Sequence, residues 1–303
     1  MESTFQLEWK ITSKDDGKLV LDFVKEKKIS KRALTDIKFH GGEILVNDRH
    51  VTVRYQLKKD DLLTVIFPKE EKGSGLVADQ VPFSIAYEDS HCLVINKPPF
   101  VPSIPSRDHV RGTLANGLIH YYEEHHIPST IHIVNRLDKD TSGLMLIAKH
   151  RFAHSLFSDM QKSKSIHRSY EAFVHGVMEE QKGTISSPIG RKKDSIIERE
   201  VCDNGQSAVT HFQVLRSYKD RTHVKLVLET GRTHQIRVHL SSIGHPLCGD
   251  TLYGGNQLDI NRQALHSSEL SFWHPLLEKD LCFQAKLPED MEKLAKRIHL
   301  KRK

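Results

Sequence analysis

The sequence of 303 residues has few of the features that mark secreted or membrane proteins. Its four cysteines, Cys92, Cys202, Cys248 and Cys282, lie far apart and form no C-x-x-C pair, so neither a zinc cage nor a disulfide framework is expected. No window approaches the apolar length of a membrane span. The first five residues lack the basic start and apolar core of a secretory signal, and we therefore expect a cytoplasmic protein with no membrane partner.

Signals for metals and cofactors are missing as well. The twenty histidines are scattered, and His234 and His239 do not form an H-E-x-x-H arrangement. The formal net charge of +6 suits a nucleic-acid partner, although many basic proteins bind none. With 38% hydrophobic residues the chain can bury a proper core, and its length allows one large domain and a small one. We predict no metal and no cofactor.

The most informative stretch spans residues 131–149. An alternating apolar run leads into a polar turn, and a second apolar run at 144–147 follows, which predicts a strand, a functional loop and a strand. Asp138 lies where the first run ends, between Arg136 and Lys139. Nearby cations favour the ionised form of a carboxylate, and carboxylates can act as nucleophiles. Asp138 is therefore a candidate nucleophile.

The same loop could instead bind calcium or form a simple surface turn. The spacing of Asp138, Asp140 and Ser142 mimics the start of a calcium-binding EF-hand loop. That loop needs a bidentate Glu at its twelfth position, where this chain has Lys149, so calcium is excluded. An aspartate-capped surface turn, in which Thr141 and Ser142 satisfy backbone groups, remains open from local chemistry alone.

The string Arg136-Leu137-Asp138-x-x-Thr141-Ser142-Gly143 resembles the signature of the RluA/RluD-type pseudouridine synthases, which isomerise uridine in structured RNA. The family usually has His before the arginine, whereas this chain has Asn135. This difference leaves the role of the side chain at 135 open. The resemblance implies that Asp138 attacks the sugar or assists formation of an electrophilic sugar intermediate, and that Arg136 fills the space vacated by the target base.

Two later motifs extend the resemblance. Tyr170, Ala172 and Val174 alternate and should share one face of a strand. In the family, the tyrosine of this Arg-x-Tyr-x-Ala segment lies against the target base. In this chain that tyrosine is Tyr170; a core tyrosine is the alternative. Residues 229–250 contain Gln-Ile-Arg, whose arginine pairs with the catalytic carboxylate in the family. The catalytic set implied by the resemblance is therefore Asp138, Tyr170 and Arg237.

A wider set of basic residues is expected to contact RNA. Lys97 belongs to a family-like Asn-Lys-Pro step, with an exposed strand-end lysine as the alternative. Several others lie just before Tyr170, or on the predicted helices near the start of the chain, where phosphate contacts would position RNA without selecting its sequence. The set is Arg136, Lys97, Arg232, Lys162, Lys164, Arg168, Lys31 and Arg32.

Residues 1–70 are predicted to form a small separate module. Ser30 offers the N-cap of a second helix that Gly41 and Gly42 would end, and short strands follow, the last of them at 62–67. This order resembles the S-four RNA-binding domain; a generic α+β module with solvated lysines is the alternative. Residues 71–80 are charged and contain Gly and Ser, as a linker does, and 81–303 would be the catalytic domain.

The resemblance covers essentially the whole chain and implies an α+β fold, with a mixed, mostly antiparallel central sheet flanked by helices and loops. It implies isomerisation of uridine in structured RNA, with large-subunit ribosomal RNA favoured by the appended module and transfer RNA as the alternative. A non-catalytic RNA-binding factor of ribosome assembly is the rival from another class. We expect a monomer that does not act on DNA.

Overall fold

The computed structural model describes residues 5–70, 76–106 and 109–300, so part of the expected linker, residues 71–75, lies outside the described residues. Residues 5–70 form a four-stranded antiparallel sheet with two helices, in the strand order β1-β4-β2-β3. The elements are β1 (Gln6–Lys10), α1 (Val20–Glu26), α2 (Lys31–Phe39), β2 (Glu43–Val46), β3 (Arg49–His50) and β4 (Leu62–Ile66). No described helix is long and apolar enough to cross a membrane.

The helix boundaries in this module follow from local chemistry. The Ser30 side chain accepts a hydrogen bond from the backbone N–H of Ala33, which confirms the predicted N-cap of α2. The helix ends at Phe39, just before the two glycines expected to end it. Strand β1 was not predicted, although Gln6–Lys10 alternates strictly between polar and apolar residues. Its pairing partner is β4, more than fifty residues later in the chain.

The rest of the described chain is built around a ten-stranded sheet. The first half of this part of the chain contains β5 (Ser84–Glu88), β6 (Cys92–Lys97), α3 (Leu114–Glu124), β7 (His132–Ile133), β8 (Ser142–Ala148), α4 (Arg151–Lys162) and β9 (Ile166–His175). The second half of this part of the chain contains β10 (Lys182–Ser186), β11 (Ile189–Arg191), β12 (Arg199–Val201), β13 (Val209–Ser217), β14 (Arg221–Leu228), α5 (Gln235–Ser242), β15 (Leu265–His274), β16 (Lys279–Gln284) and α6 (Glu289–Leu300). Strands β11 and β12 form a separate two-stranded hairpin.

The strand order of the large sheet is β10-β13-β14-β9-β15-β8-β6-β5, with β16 beside β15 and β7 beside β8. Strands β15 and β8 run parallel, and the other pairings between its described strands are antiparallel. The predicted mixed, mostly antiparallel sheet is thus confirmed.

Strand periodicity decides where the helices pack. In β6, Leu93 and Ile95 contact the cluster that contains α3 and α5, whereas Cys92 and Val94 belong to the cluster that contains α4. Successive side chains of a strand point to opposite faces, so this strand is buried on both sides. In β9, Tyr170 points to the face covered by α3 and α5 and is 4% exposed. That face carries the candidate site.

A close approach of two strands fixes the start of β8. Gly143 has φ +115°, and a Cβ there would lie 2.3 Å from the backbone oxygen of Ser267 on β15. Only glycine accommodates both that backbone conformation and that contact. Residues 134–141, which we call the signature loop, are therefore anchored directly at their C-terminal end.

The N-terminal module packs against the large sheet through aromatic rings. Phe5 stacks on His150 with a centroid distance of 3.6 Å, and Phe67 lies 5.4 Å from Phe152. Glu70 accepts a hydrogen bond from the backbone N–H of Arg151 at 2.6 Å. The start of α4 is therefore one of the contacts between the two parts of the chain.

We expect acid to destabilise the protein through His150. Burial, followed by the charges of His91 and His132, lowers the pKa of His150 to about 3. An unfolded histidine takes up its proton near pH 6.5, so acidification from there towards pH 3 favours the unfolded chain. The free energy of unfolding is highest above pH 6.5, and protonation of His150 in the unfolded chain should lower it by up to about 5 kcal/mol as the pH falls. Urea unfolding measured between pH 7.5 and 4 checks the slope.

His150→Asn is the matched variant for this measurement. Asparagine can still cap α4, where His150 Nδ1 accepts from the N–H of Ala153 at 3.1 Å, but it does not titrate. The variant should therefore lose less stability between pH 6.5 and 4 than the wild type. Equal slopes in the two proteins would show that His150 does not drive the acid effect.

Candidate active site

The signature loop, residues 134–141, is held from two sides by hydrogen bonds. The Asn135 side chain, 3% exposed, accepts a hydrogen bond from the backbone N–H of Leu146 on β8 at 2.8 Å. Ser103 donates to the carbonyl of Leu137 at 2.6 Å, and the N–H of Thr141 donates to the carbonyl of Asp138 at 3.1 Å. Asn135 is the residue that differs from the family pattern. Its amide oxygen thus links the loop to β8.

Lys97 supports the same loop from below. Its side chain is fully buried, and Nζ donates to the carbonyls of Pro98, Val101 and Lys139 at 2.8–2.9 Å. Burial lowers the pKa of Lys97 to about 7, against the charges of Asp140 and Asp138. Three carbonyl acceptors nevertheless need three N–H donors, so this site holds the charged ammonium. The expected RNA contact of Lys97 is wrong, because its ammonium group is buried beneath the loop.

Replacing Lys97 should cost both stability and activity. Lys97→Met keeps the length of the side chain but leaves three buried carbonyls without their donor, and we expect a loss of about 3 kcal/mol in the free energy of unfolding. The exposed Lys162→Met change should stay within about 0.5 kcal/mol. Urea unfolding of both variants is the measurement. A Lys97→Met protein as stable as Lys162→Met would contradict the anchoring role.

Arg237 lies in the first turn of α5 but is buried, at 7% exposure. Its Nε and Nη2 donate to the two carboxylate oxygens of Asp250 at 2.7 and 2.9 Å, and its Nη1 donates to Asp138 Oδ2 at 3.1 Å. Burial alone lowers the pKa of Arg237, but the hydrogen bonds and charge of Asp250 outweigh burial and raise it above its ordinary value. Arg237 is a permanent cation that joins two carboxylates.

Asp250 contacts Arg237 but was not among the predicted site residues. It is 2% exposed and lies thirteen residues after Arg237, in the turn that follows α5. Gly249 makes this turn possible, since it has φ +81° and a Cβ there would lie 1.9 Å from the carbonyl oxygen of Arg262. The sequence does contain a signal for Asp250. An arginine within a buried helix needs a counter-charge, and the motif at residues 229–250 ends in Gly-Asp.

A cavity of about 470 Å³ opens above these residues. Asp138 lies on its wall with a side chain 28% exposed, together with Tyr170 from β9 and Arg237 from α5. His234, the residue before α5, also lines it, with Nε2 at 3.9 Å from Asp138 Oδ2. The structure thus brings all three predicted catalytic residues to one cavity, and adds His234, for which the sequence suggested no role.

The residues predicted to bind RNA fall into separate groups. Arg136, Arg168 and Arg232 line the cavity. Arg168 is 9% exposed, and its Nε has no hydrogen-bond partner among the described residues. Arg232 is exposed and its Nε donates to the carbonyl of Ser207 at 3.0 Å.

The remaining predicted RNA-binding residues are exposed and do not line the cavity. Lys162 forms an ion pair with Asp159, and Lys164 forms one with Glu229. Lys31 and Arg32 lie at the start of α2 in the N-terminal module. These four side chains remain candidates for RNA contacts outside the cavity.

One cluster of the described residues has metal-ligating side chains, Asp89, Cys92 and His274. His274 Nδ1 accepts hydrogen bonds from the backbone N–H groups of Leu276 and Leu277 at 3.3 and 3.0 Å. The neutral ring therefore carries its proton on Nε2, the nitrogen that faces the cluster, and cannot offer it to a metal. Burial and the charge of Asp89 raise the pKa of Cys92, which keeps the thiol protonated. This arrangement does not suit a metal ion.

Comparisons with known proteins identify the family of this chain. The family model described as RNA pseudouridylate synthase matches residues 91–242. RNA pseudouridine synthase YjbO of Bacillus subtilis is 57% identical over 277 residues, which cover 91% of this chain and 98% of that protein. Ribosomal large subunit pseudouridine synthase D of Pseudomonas aeruginosa is 39% identical over 240 residues, or 75% of each chain.

A solved structure shows the same relationship. Human RNA Pseudouridylate Synthase Domain Containing 4 superposes with a TM-score of 0.59 at 26% identity, covering 71% of this chain and 93% of that one. The matched family segment contains Asp138, Tyr170 and Arg237. The chain belongs to the RluA/RluD-type family of RNA pseudouridine synthases, enzymes that isomerise uridine in RNA.

Proposed function

We propose that this enzyme converts specific uridines of structured RNA to pseudouridine with Asp138 as its nucleophile and without a cofactor. One observation carries the proposal: Asp138 Oδ2 lies 3.1 Å from Arg237 Nη1 on the wall of a cavity that Tyr170 also lines. A carboxylate held by a buried, permanently charged guanidinium has a fixed orientation, and a fixed orientation is what a nucleophile in a binding cavity requires.

The reaction balances without an electron carrier. The bond between N1 of uracil and C1′ of the sugar breaks, and a bond between C5 and C1′ forms. The proton on C5 passes to solvent, and N1 gains a proton, so nothing is oxidised or reduced. The carboxylate of Asp138 would either attack the sugar or assist formation of its electrophilic intermediate, and both routes start from the same charged group.

The other predicted residues have roles that suit their positions. The target uridine leaves its stack at a cost of a few kcal/mol. Tyr170, which is buried on the central strand β9, offers a ring face for the unstacked base. Arg136 is exposed at the mouth of the cavity and is placed to fill the space that the base leaves.

The proposed substrate is large-subunit ribosomal RNA. The Pseudomonas aeruginosa relative is named for action on the ribosomal large subunit. We further propose that residues 1–70 act as an S-four-like RNA-binding domain, that 71–80 are a linker and that 81–303 are catalytic. The exposed Lys31 and Arg32 would then contact phosphates and position the RNA without selecting its sequence.

The test maps pseudouridines in the cell. Ribosomal and transfer RNA would be compared between a strain lacking this protein and the same strain supplied with the wild type or with Asp138→Asn. The proposal predicts a pseudouridine in 23S-type ribosomal RNA that disappears in the deletion and returns only with the wild type. If the pseudouridine that depends on the protein lay in transfer RNA, transfer RNA would be the substrate. Restoration of ribosome assembly by Asp138→Asn, with no change in pseudouridine, would support a binding factor instead.

A further inference from the structure

His234 has an unusual backbone conformation for its position beside the nucleophile. It is the residue before α5 and has φ +57° and ψ +19°, the left-handed region that non-glycine residues seldom adopt. Its side chain is 12% exposed and lines the cavity, and Nε2 faces Asp138 Oδ2 at 3.9 Å. Such a strained conformation persists where the surrounding structure holds it, and it is common at functional sites.

The hydrogen bonds of Tyr253 favour one tautomer of the His234 ring. The hydroxyl oxygen of Tyr253 accepts the backbone N–H of Arg199 at 2.9 Å and lies 2.7 Å from His234 Nδ1. Within the described chain, Nδ1 is the acceptor available to the hydroxyl proton. Donation by Tyr253 to Nδ1 would place the proton of the neutral ring on Nε2, the nitrogen that faces Asp138.

The charge state agrees with this assignment. Burial is the largest influence on His234 and lowers its pKa, against the opposing charge of Asp138, so the ring is neutral at physiological pH. Burial also raises the pKa of Tyr253, which keeps its hydroxyl protonated as a donor. The same tyrosine ring lies 4.9 Å from the guanidinium carbon of Arg237. Tyr253 thus contacts both groups that face Asp138 Oδ2.

We propose that His234 is a positioning residue whose Nε2–H, together with Arg237 Nη1, holds Asp138 Oδ2, and that Tyr253 fixes the His234 tautomer required for this. Two donors on Oδ2 leave Oδ1, which has no hydrogen bond within the described chain, to face the sugar. Nε2 lies 3.9 Å from Oδ2 in the protein without RNA. We expect this distance to shorten to a hydrogen bond when RNA binds, because catalytic hydrogen bonds are often long in the free enzyme. The inference rests on the proposed role of Asp138.

Two substitutions of His234 separate the donor from the backbone. His234→Asn tolerates the left-handed conformation but places its amide where Nδ1 lies, so it cannot reach Asp138. His234→Gln places its amide nitrogen near the position of Nε2 and restores a donor. Single-turnover rates with enzyme in excess, and the dissociation constant for the same RNA, should be measured for both. Tyr253→Phe keeps the ring beside Arg237 and removes the bond to Nδ1.

We expect His234→Asn to slow the single-turnover rate about ten- to hundredfold with little change in RNA affinity, because one hydrogen bond to a charged group is lost. His234→Gln should regain much of that loss, and Tyr253→Phe should be slower than the wild type. Equal rates for the Asn and Gln variants, or a loss that appears wholly as weaker RNA binding, would overturn the inference.

The two proposals fail in different ways. A wild type with no turnover on unmodified RNA, or an Asp138→Asn variant that retains it, would refute the role of Asp138 itself. Turnover that depends on Asp138 but is unchanged in both His234→Asn and Tyr253→Phe would leave that role intact and refute only the role of His234. Urea unfolding of each variant distinguishes a lost fold from a lost donor, and Tyr253→Phe, the mildest change, keeps the comparison available.

Discussion

Asp138→Asn abolishes turnover and leaves RNA affinity nearly intact: this is the largest effect that we expect. Asparagine has the shape of aspartate but carries no charge and is no nucleophile, so the single-turnover rate should fall at least about ten-thousandfold. The amide oxygen can still accept from Arg237, which contacts Oδ2 at 3.1 Å, so the cavity should keep its shape. The measurement is pseudouridine formation with enzyme in excess, beside a binding isotherm for the same RNA.

Asp140→Asn is the matched control for this variant. Asp140 lies in the same loop and is partly buried, but it does not line the cavity. The same chemical change two residues away should leave the rate within a few-fold of the wild type. If Asp140→Asn lost as much activity as Asp138→Asn, the loss would reflect the charge or rigidity of the loop, and the nucleophile would have to be sought elsewhere.

The second large effect is expected for Asp250→Ala. Removing this carboxylate leaves Asp138 as the one carboxylate that contacts the buried Arg237 within the described chain, so the free energy of unfolding should fall by about 3–5 kcal/mol. The released guanidinium also no longer presents Nη1 at a fixed position. We therefore expect a slower single-turnover rate even under conditions where the variant is fully folded. Urea unfolding and single-turnover kinetics measure the two consequences separately.

A double-mutant cycle tests whether the two effects have one origin. If Asp250 acts through Arg237, the Arg237→Ala, Asp250→Ala double variant should regain part of the lost stability, because no uncompensated charge remains, while activity stays low. The exposed Asp159→Ala change, which breaks an ion pair with Lys162, should alter stability by less than about 1 kcal/mol. Strictly additive losses in the cycle would mean that the Arg237–Asp250 pair is not coupled.

Local patterns in the sequence predicted much of the fold. The alternation of Tyr170, Ala172 and Val174 correctly placed them on one face of a strand, since strand side chains repeat every two residues. The N-cap at Ser30 depends on residues within one turn of helix α2, and it is present. Features set by a few neighbouring residues can be inferred from the sequence.

Contacts between distant segments could not be inferred in this way. The parallel pairing of β8 with β15 joins residues 124 apart, such as Ser142 and His266. Lys97 was expected to contact RNA, with an exposed strand-end lysine as the alternative, but the loop that follows it folds over the ammonium group. Asp250 supports Arg237 from a turn whose position depends on how α5 packs. Burial of a charged group is set by the whole fold, and the sequence alone does not show it.

The most direct test of the proposed mechanism is tritium release from RNA labelled at C5 of uridine and lacking the modification. Formation of the bond between C5 and C1′ expels the hydrogen on C5, so every turnover releases tritium into water. The mechanism predicts release by the wild type and none by Asp138→Asn. Salt-sensitive binding of this RNA with no release by the wild type would contradict the proposed activity, and equal release by both proteins would contradict the role of Asp138.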